Sequence, residues 1–295
     1  MFSPDNAGGF SRVLSSLPTE AVSRVSRCYR TSAEGRIALR PDWPLLLETA
    51  RGLGRVVLQT RHVFARLIAV TEMPGFAARE DGGAVCAEDG TLGFRFSEWW
   101  RAWGQLTACP CCGSPARVEV WNVRSLPFLQ ICAPVRGGLE GWAGVLDALA
   151  TDSEDADALA VSALTAGEVF PKTPRDAHAL RFDEDLLLEL LASLDSHDLP
   201  VRWILRTPEA RHAREFVPRR AGIAQRALTI KDGTGHTLQL GLPAARFFAV
   251  GTGASRSLYI GGQDDSLLVE MAPPADPAFE SLWRAVVHGV FSEWP

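Results

Sequence analysis

Residues 115–135 read PARVEVWNVRSLPFLQICAPV, and residues 254–274 read ASRSLYIGGQDDSLLVEMAPP. Each segment carries an arginine at its third position, Arg117 and Arg256. Each then alternates apolar and polar residues, breaks, and resumes as a second alternating run that ends in Ala-Pro. Alternation with a period of two is typical of β-strands with one buried face. The two segments therefore predict two copies of one strand pair.

The duplication extends upstream of this strand pair. Residues 45–48 and 186–189 both read LLLE, and residues 89–91 and 232–234 both read DGT. Between the copies, residues 151–157 are acidic and polar, which is typical of a linker. We therefore predict a first repeat with N-terminal helices in 1–150, a linker in 151–182 and a second repeat in 183–295. A duplicated fold usually binds its ligand between the copies or once in each copy.

The composition excludes several functional classes. The chain has 295 residues, of which 46% are hydrophobic and 22% charged, as in a globular protein. A formal charge of −5 argues against a general nucleic-acid binder. No apolar run approaches the roughly 20 residues that span a bilayer, and the N-terminus does not read as a signal peptide. Six cysteines do not suggest a disulfide scaffold, so a reducing cytoplasm is the expected compartment. Together with the absence of a long apolar run, this predicts a cytoplasmic protein without membrane insertion.

Local patterns predict several individual elements. Asp42 is expected to cap a helix that runs to about Arg51, and another helix is expected over 183–194. Trp99, Trp100 and Trp103 stand at helical spacing, so we predict a short helix or turn over 97–104, with 243–249 as its equivalent in the second copy. The rings are expected to fill the core, with ligand stacking as the alternative. A solvated face is expected for the basic group formed by Arg211, Arg214, Arg219 and Arg220.

The first copy carries a cysteine-bearing insertion. The offset between copies is 146 positions at Leu92 and Leu238 but 139 at Arg117 and Arg256, so the first copy has about seven extra residues before Arg117. These include Cys109, Cys111 and Cys112. Three compact thiols suit a soft metal ion, although a closed zinc site usually has four ligands. Redox thiol chemistry and a plain surface loop are the alternatives.

The order of these pieces resembles the HemS/ChuS family of cytoplasmic haemin-handling proteins. The resemblance rests on LRPDWPLL at 39–46, LGRVV at 53–57, Thr60-Arg61, LPV at 199–201 and the paired segments around Arg117 and Arg256. It extends over about residues 20–290. It implies an α+β fold with an internal duplication, in which each half is a large antiparallel sheet with packed helices.

The resemblance also implies a ligand and a set of site residues. Haem would lie in a cleft between sheet and helices, with a histidine on iron and arginines on the propionates. The sequence that best matches the family's iron ligand is Asp176-Ala177-His178, so His178 is the expected ligand, with a solvated loop histidine as the alternative. The arginines expected to bind the cofactor are Arg66, Arg117, Arg214 and Arg256. Arg66 and Arg214 stand where the family's strand runs on to a Val-His-Glu triplet.

Three functional hypotheses follow from these observations. The first is a haem carrier or haemin-degrading factor, whose ligand is haem or a similar planar anionic small molecule. The second is a divergent member that has lost haem and binds another ligand or a protein partner. The third is a metal-binding module built on Cys109, Cys111 and Cys112. The sequence leaves open whether the chain is an enzyme and whether it forms a homodimer.

Overall fold

The computed structural model describes residues 36–78, 84–110, 112–133, 140–151, 180–250, 257–262 and 267–292. The α-helices in these ranges are α1 (Trp43–Arg51), α2 (Glu140–Leu149), α3 (Glu184–Ser196) and α4 (Glu280–Val290). The strands of the first half are β1 (Arg36–Leu39), β2 (Arg55–Arg61), β3 (Ala65–Glu72), β4 (Phe76–Ala78), β5 (Ala84–Ala87), β6 (Leu92–Arg95), β7 (Trp99–Gln105), β8 (Arg117–Asn122) and β9 (Pro127–Cys132). Those of the second half are β10 (Leu180–Phe182), β11 (Val201–Arg206), β12 (Ala210–Phe216), β13 (Arg220–Ala224), β14 (Ala227–Lys231), β15 (Thr237–Gly241), β16 (Arg246–Val250), β17 (Ser257–Gly261) and β18 (Leu267–Ala272).

The strand order confirms the predicted α+β fold and its internal duplication. The first sheet has the order β1-β7-β8-β9-β2-β3-β15-β14-β13, and the second has β10-β16-β17-β18-β11-β12-β6-β5-β4. Each strand of one sheet therefore corresponds to the strand nine places away in the other. Helices α1 and α3 follow β1 and β10, and α2 and α4 follow β9 and β18. Such a match across every described strand is what a duplicated unit produces.

The two sheets also exchange their last three strands. Strands β13–β15 of the second half complete the first sheet, and β4–β6 of the first half complete the second. By internal contacts the described residues form two compact units, one from the described parts of 1–59, 70–75 and 96–166, the other from 60–69, 76–95 and 167–295. The repeat boundaries at 150 and 183 stay a prediction. The exchange of strands is a feature that local sequence does not reveal.

The repeated DGT sequence forms the same turn in both copies. Gly90 and Gly233 adopt positive φ angles of 66° and 85°, which glycine tolerates without strain. The Asp89 carboxylate accepts the Thr91 amide at 2.9 Å, and the Asp232 carboxylate accepts the Thr234 amide at 2.7 Å. The turns join β5 to β6 and β14 to β15.

The predicted short helix or turn over 97–104 is wrong beyond Glu98. A short 3₁₀ turn at Phe96–Glu98 leads into strand β7, which pairs with both β1 and β8. Aromatic residues favour strands, and the spacing of these tryptophans fits either element, so the two neighbouring strands decide the conformation. Trp99 packs in the core against Trp43 and Phe128. The equivalent stretch at 243–249 likewise becomes a 3₁₀ turn at Leu242–Ala244 followed by β16.

The helices begin where the sequence predicts them. Asp42 accepts the Leu45 amide at 3.1 Å at the start of α1, and Asp183 accepts the Leu186 amide at 3.0 Å at the start of α3. In the second unit, the leucines of α3 pack with Trp203 of β11 and Val269 of β18 in one continuous core. In the first unit, α2 lies close to β7. A Cβ atom built on Gly104 of β7 would lie only 2.6 Å from the side chain of Leu146 in α2.

Strands β12 and β13 were not predicted from the sequence. The charged run ARHAREF of β12 lacks a clear apolar alternation. None of the described helices combines the length and apolar character needed to cross a membrane. The expected N-terminal helices lie outside the described residues.

Candidate functional site

One face of the second sheet carries a continuous row of side chains across six strands. The neighbours in register run Arg181, Phe248, Tyr259, Glu270, Ile204 and Ala213. The alternate residues of the same strands, such as Trp203 and Val269, belong to the core beneath α3 and α4. Because successive strand residues point to opposite faces, the row lies on the face away from these helices. We call this the outer face of the second sheet.

Three arginines cluster on the outer face beside two carboxylates. Arg202 and Arg206 of β11 share this face with Ile204, and Arg211 of β12 pairs in register with Arg206. The Arg206 guanidinium donates to the Glu270 carboxylate at 2.7 Å, and Arg211 donates to the carbonyl of Gly90. Glu215 of β12 pairs in register with Arg202, so the three arginines exceed the two carboxylates by one charge. We call these three residues the arginine cluster.

Burial makes the charge of this cluster costly. Loss of solvent, together with the nearby charges of Arg206 and Arg202, lowers the pKa of Arg211, while Glu270 acts in the opposite direction. The Nε atom of Arg202 is buried and has no hydrogen-bond partner among the described residues. Buried donors without acceptors are destabilising, and an anion that accepted from them would remove this cost. The outer face therefore offers a buried donor that an anionic group can satisfy.

A cavity of about 330 Å³ opens at the β10 edge of the same sheet. It is lined by Arg181 and Phe182 of β10, Arg246 and Phe247 of β16, and the acidic start of α3. The guanidinium of Arg181 lies 5.9 Å from the centre of the Phe248 ring. Arg181 therefore belongs both to the lining of the cavity and to the outer-face row. Its volume is at the lower end for small-molecule sites.

A histidine is buried on the opposite face of β12. His212 is 1% exposed, and its Nδ1 atom lies 3.1 Å from the hydroxyl of Thr60. Burial first, and then the charges of Arg214 and His236, lower the pKa of His212 to about 3. The ring is therefore neutral at physiological pH. Its Nε2 atom has no hydrogen-bond partner among the described residues.

The predicted solvated face of four arginines is wrong for two of them. Arg211 and Arg214 are half-buried and point to opposite faces of β12, because their separation is odd. Burial lowers the pKa of Arg214, which lies on the same face as His212. Only Arg219 and Arg220 are exposed, and Arg219 pairs with Asp195 and Asp198 of the α3 end.

The other predicted cofactor residues lie apart from the arginine cluster or outside the described residues. Arg66 lies on β3 of the first sheet, in register with Gln239. Arg117 on β8 pairs with the buried Glu119 at 3.3 Å and donates to the carbonyl of Thr107 at 3.0 Å. His178, Arg256 and Cys111 lie outside the described residues.

The arginine cluster was not predicted from the sequence, although the sequence contains a signal for it. In the strand VRWILR at 201–206, an even separation of four residues places Arg202 and Arg206 on one face. The pairing that brings Arg211 beside Arg206 depends on the hairpin register of β11 and β12. A strand assignment for β12 would have revealed the cluster.

Comparisons with known proteins give a match in structure only. No family model matches the chain, and no curated protein matches it. Apo-PhuS, a heme-binding protein from Pseudomonas aeruginosa, superposes with a TM-score of 0.69 at 13% identity over 91% of this chain and 89% of that chain. Holo-PhuS gives 0.66 at 14% identity over 87% and 84%. The Escherichia coli heme degrading enzyme ChuS gives 0.68 at 12% identity over 91% and 89%. The chain therefore has a HemS/ChuS-like fold.

Proposed function

We propose that the protein binds haem, or a similar planar anionic small molecule, on the outer face of its second sheet and serves in cytoplasmic haem and iron utilisation. The observation that carries the proposal is the arginine cluster, whose three positive charges exceed the two carboxylates beside it on a half-buried face. The fold supports it, since PhuS is named as a heme-binding protein and ChuS as a heme degrading enzyme.

The arginine cluster suits the propionates of haem. A guanidinium forks onto a carboxylate through paired N–H groups, and such charge-assisted bonds are strongest where water is excluded. The excess of positive charge in the cluster favours a ligand that carries carboxylates. Arg202 supplies a buried Nε donor that has no acceptor among the described residues. The donor set therefore fits the acidic edge of the ligand.

The centre of the outer face suits the ring. Phe248 and Tyr259 are neighbours on β16 and β17, between the edge strand β10 and the arginines of β11. Three strand spacings, or about 14 Å, separate β16 from β11. Aromatic side chains offer flat apolar surface to a planar ligand. Their role in the proposed site is to bind the macrocycle and keep water from it.

His178 is the proposed iron ligand. It stands two residues before β10, the edge strand of the second sheet, and an imidazole nitrogen is a common axial ligand of haem iron. When bound, haem supplies the oxygen and electron chemistry on which a degrading activity depends. Arg256 remains a proposed cofactor residue, whereas Arg117 and Arg214, with their present contacts and burial, are proposed to stabilise the scaffold.

The test is a haemin titration of the purified full-length protein, followed by its visible spectrum. We expect a saturable Soret shift at one haemin per chain. Arg202→Gln should weaken binding roughly 10- to 100-fold, as the loss of a charge-assisted hydrogen bond predicts. Arg220→Gln, an exposed arginine on β13 outside the site, is the matched control and should bind as the wild type does.

Two outcomes would contradict the proposal. Absence of a Soret shift in folded protein would favour the divergent scaffold that binds another ligand, and equal affinity in both arginine variants would exclude the arginine cluster. His178→Ala should bind haemin with a changed Soret position, because the iron loses its axial ligand. Loss of the Soret band on addition of a reductant in air would distinguish a degrading factor from a carrier.

A further inference from the structure

Three cysteines of the first unit bring their sulfur atoms together. The Sγ atoms of Cys109, Cys112 and Cys132 all lie within 4.8 Å of one another. Cys109 and Cys132 are 2% and 0% exposed, while Cys112 is half-buried. Cys132 is the last residue of β9, so a residue of the duplicated scaffold joins two residues of the insertion. Sequence reasoning grouped Cys111 with the other insertion cysteines and missed Cys132, which is distant in the chain.

The insertion folds back so that its thiols meet β9. Gly113 adopts a positive φ of 69°, and its amide donates to the carbonyl of Cys109 at 2.7 Å. The amide of Cys109 donates to the carbonyl of Ser114 at 2.7 Å. The Ser114 hydroxyl in turn donates to the carbonyl of Ala133 at 2.6 Å, directly after Cys132. These bonds hold the C-x-x-C pair of Cys109 and Cys112 in a tight loop against the third thiol.

The sulfur separation fits a shared metal ion better than a disulfide. The Sγ atoms of Cys109 and Cys132 are 3.7 Å apart. A disulfide would need about 2.05 Å. Two thiolates at about 2.3 Å from one tetrahedral zinc ion lie roughly 3.8 Å apart. The buried pair therefore already has the spacing of two ligands on one ion.

A cationic side chain lies on the strand next to Cys132. Arg117 pairs in register with Cys132 across β8 and β9. Its Nη1 atom donates to the carbonyls of Thr107 at 3.0 Å and Ala108 at 3.4 Å, immediately before Cys109. The guanidinium thus fixes the start of the loop. Arg117 is a positioning residue in this arrangement.

We propose that Cys109, Cys112 and Cys132 form a binding site for a single thiophilic metal ion, Zn²⁺ or Cu⁺. Soft thiolate ligands select these ions. Three thiolates complete a trigonal site for Cu⁺ and leave one position of a zinc tetrahedron for a solvent or small-molecule ligand. The thiols release their protons as the metal binds. The half-buried Cys112 provides access from the surface, and the site lies in the first unit, apart from the proposed haem site in the second.

The test uses the reduced full-length protein, with Co²⁺ as a spectroscopic probe for Zn²⁺ and with Cu⁺ in a separate titration. We expect saturation at one ion per chain and an intense sulfur-to-cobalt charge-transfer band. Cys132→Ser and Cys112→Ser should each weaken binding at least tenfold. Cys86→Ser, which removes a thiol of the second unit, should bind as the wild type does. Displacement of Co²⁺ by Zn²⁺ or by Cu⁺ identifies the preferred ion.

The outcomes separate the site from its alternatives. Because Cys132 is buried, circular dichroism of each variant checks the fold, and Cys112→Ser provides a test at a half-buried position. Equal affinity of the wild type and a folded Cys112→Ser variant would overturn the proposal. So would failure of both ions to bind under reducing conditions, or isolation of a Cys109–Cys132 disulfide that is indifferent to metal.

Discussion

The two sheets carry corresponding rows of side chains and use their carboxylates in opposite ways. In the first sheet, Glu119 is buried at 6% exposure and accepts bonds from Gln105 at 3.0 Å, from Gln130 and from Arg117. In the second sheet, Glu270 is partly exposed and accepts from Arg206, while Arg202 and Arg211 add charge that it does not balance. One copy has surrounded its carboxylate with three hydrogen-bond donors in a buried network. The other has kept an excess of positive charge beside a partly exposed surface.

This difference indicates how a duplicated fold divides its tasks. A closed network of buried polar groups stabilises a scaffold only when every member is satisfied. An unbalanced cluster lowers stability until an anion binds, and therefore suits a ligand site. The first unit also carries the thiol site, whose loop is held by Arg117, a member of the same network.

The largest expected effect is the loss of stability when Glu119 is replaced. Glu119→Ala leaves Arg117 and two glutamines buried without their acceptor, which should lower the free energy of unfolding by about 3–5 kcal/mol. The matched change Glu270→Ala, at a partly exposed pair, should cost about 1 kcal/mol or less. Urea denaturation of both variants measures the contrast. Equal losses would show that the two rows do not differ in the way described.

A second effect concerns His212, whose place in the first copy is taken by Leu67. The match follows from the turns before β3 and β12, where the His62 amide donates to the Ala65 carbonyl and the Thr207 amide donates to the Ala210 carbonyl. Leu67 and His212 are both buried. Burial and the charges of Arg214 and His236 lower the pKa of His212 to about 3 from its ordinary value of 6.5. Below 6.5 the unfolded chain takes up a proton that the folded chain does not, so stability is fully present above 6.5 and is lost as pH falls toward 3.

His212→Gln should therefore flatten the acid side of the stability profile. Each pH unit within this window costs the wild type about 1.4 kcal/mol through this one group. The variant should lose that slope, whatever its stability at neutral pH. Phe64→Gln, a change at an exposed position in the turn before β3, is the control and should keep the wild-type slope. Denaturation midpoints between pH 6.5 and 4.5 give the measurement, and parallel profiles for both variants would exclude His212 as the source.

The smallest effect tests the charge balance of the outer face. Glu270→Gln removes a carboxylate that offsets the arginine cluster, so the affinity for haemin should rise roughly three- to tenfold, which corresponds to about 1 kcal/mol of charge interaction. Haemin titration at low and high salt measures it, and the gain should shrink as salt screens the charges. Weaker binding by this variant would indicate that Glu270 itself contacts the ligand.

Much of the local structure could be predicted from sequence. Strands β8 and β9 and helices α1 and α3 lie where the alternation and the capping residues predict them, because these signals come from neighbours in the chain. Strand β7 could not be predicted in this way, since three tryptophans fit a helix or a strand and only pairing with β1 and β8 decides between them. The sequence predicts that Arg211 and Arg214 point to opposite faces only when 210–216 is recognised as strand β12.

The sequence by itself determined the duplication, most element positions and the kind of fold, because these follow from repeated local patterns. Only the tertiary structure decided which residues share a site. The exchange of three strands between the sheets, the meeting of Arg202, Arg206 and Arg211, and the approach of Cys132 to Cys109 all join residues from separate parts of the chain. Such contacts depend on strand register and on loop closure, which are set by the packing of the whole unit and not by any short segment.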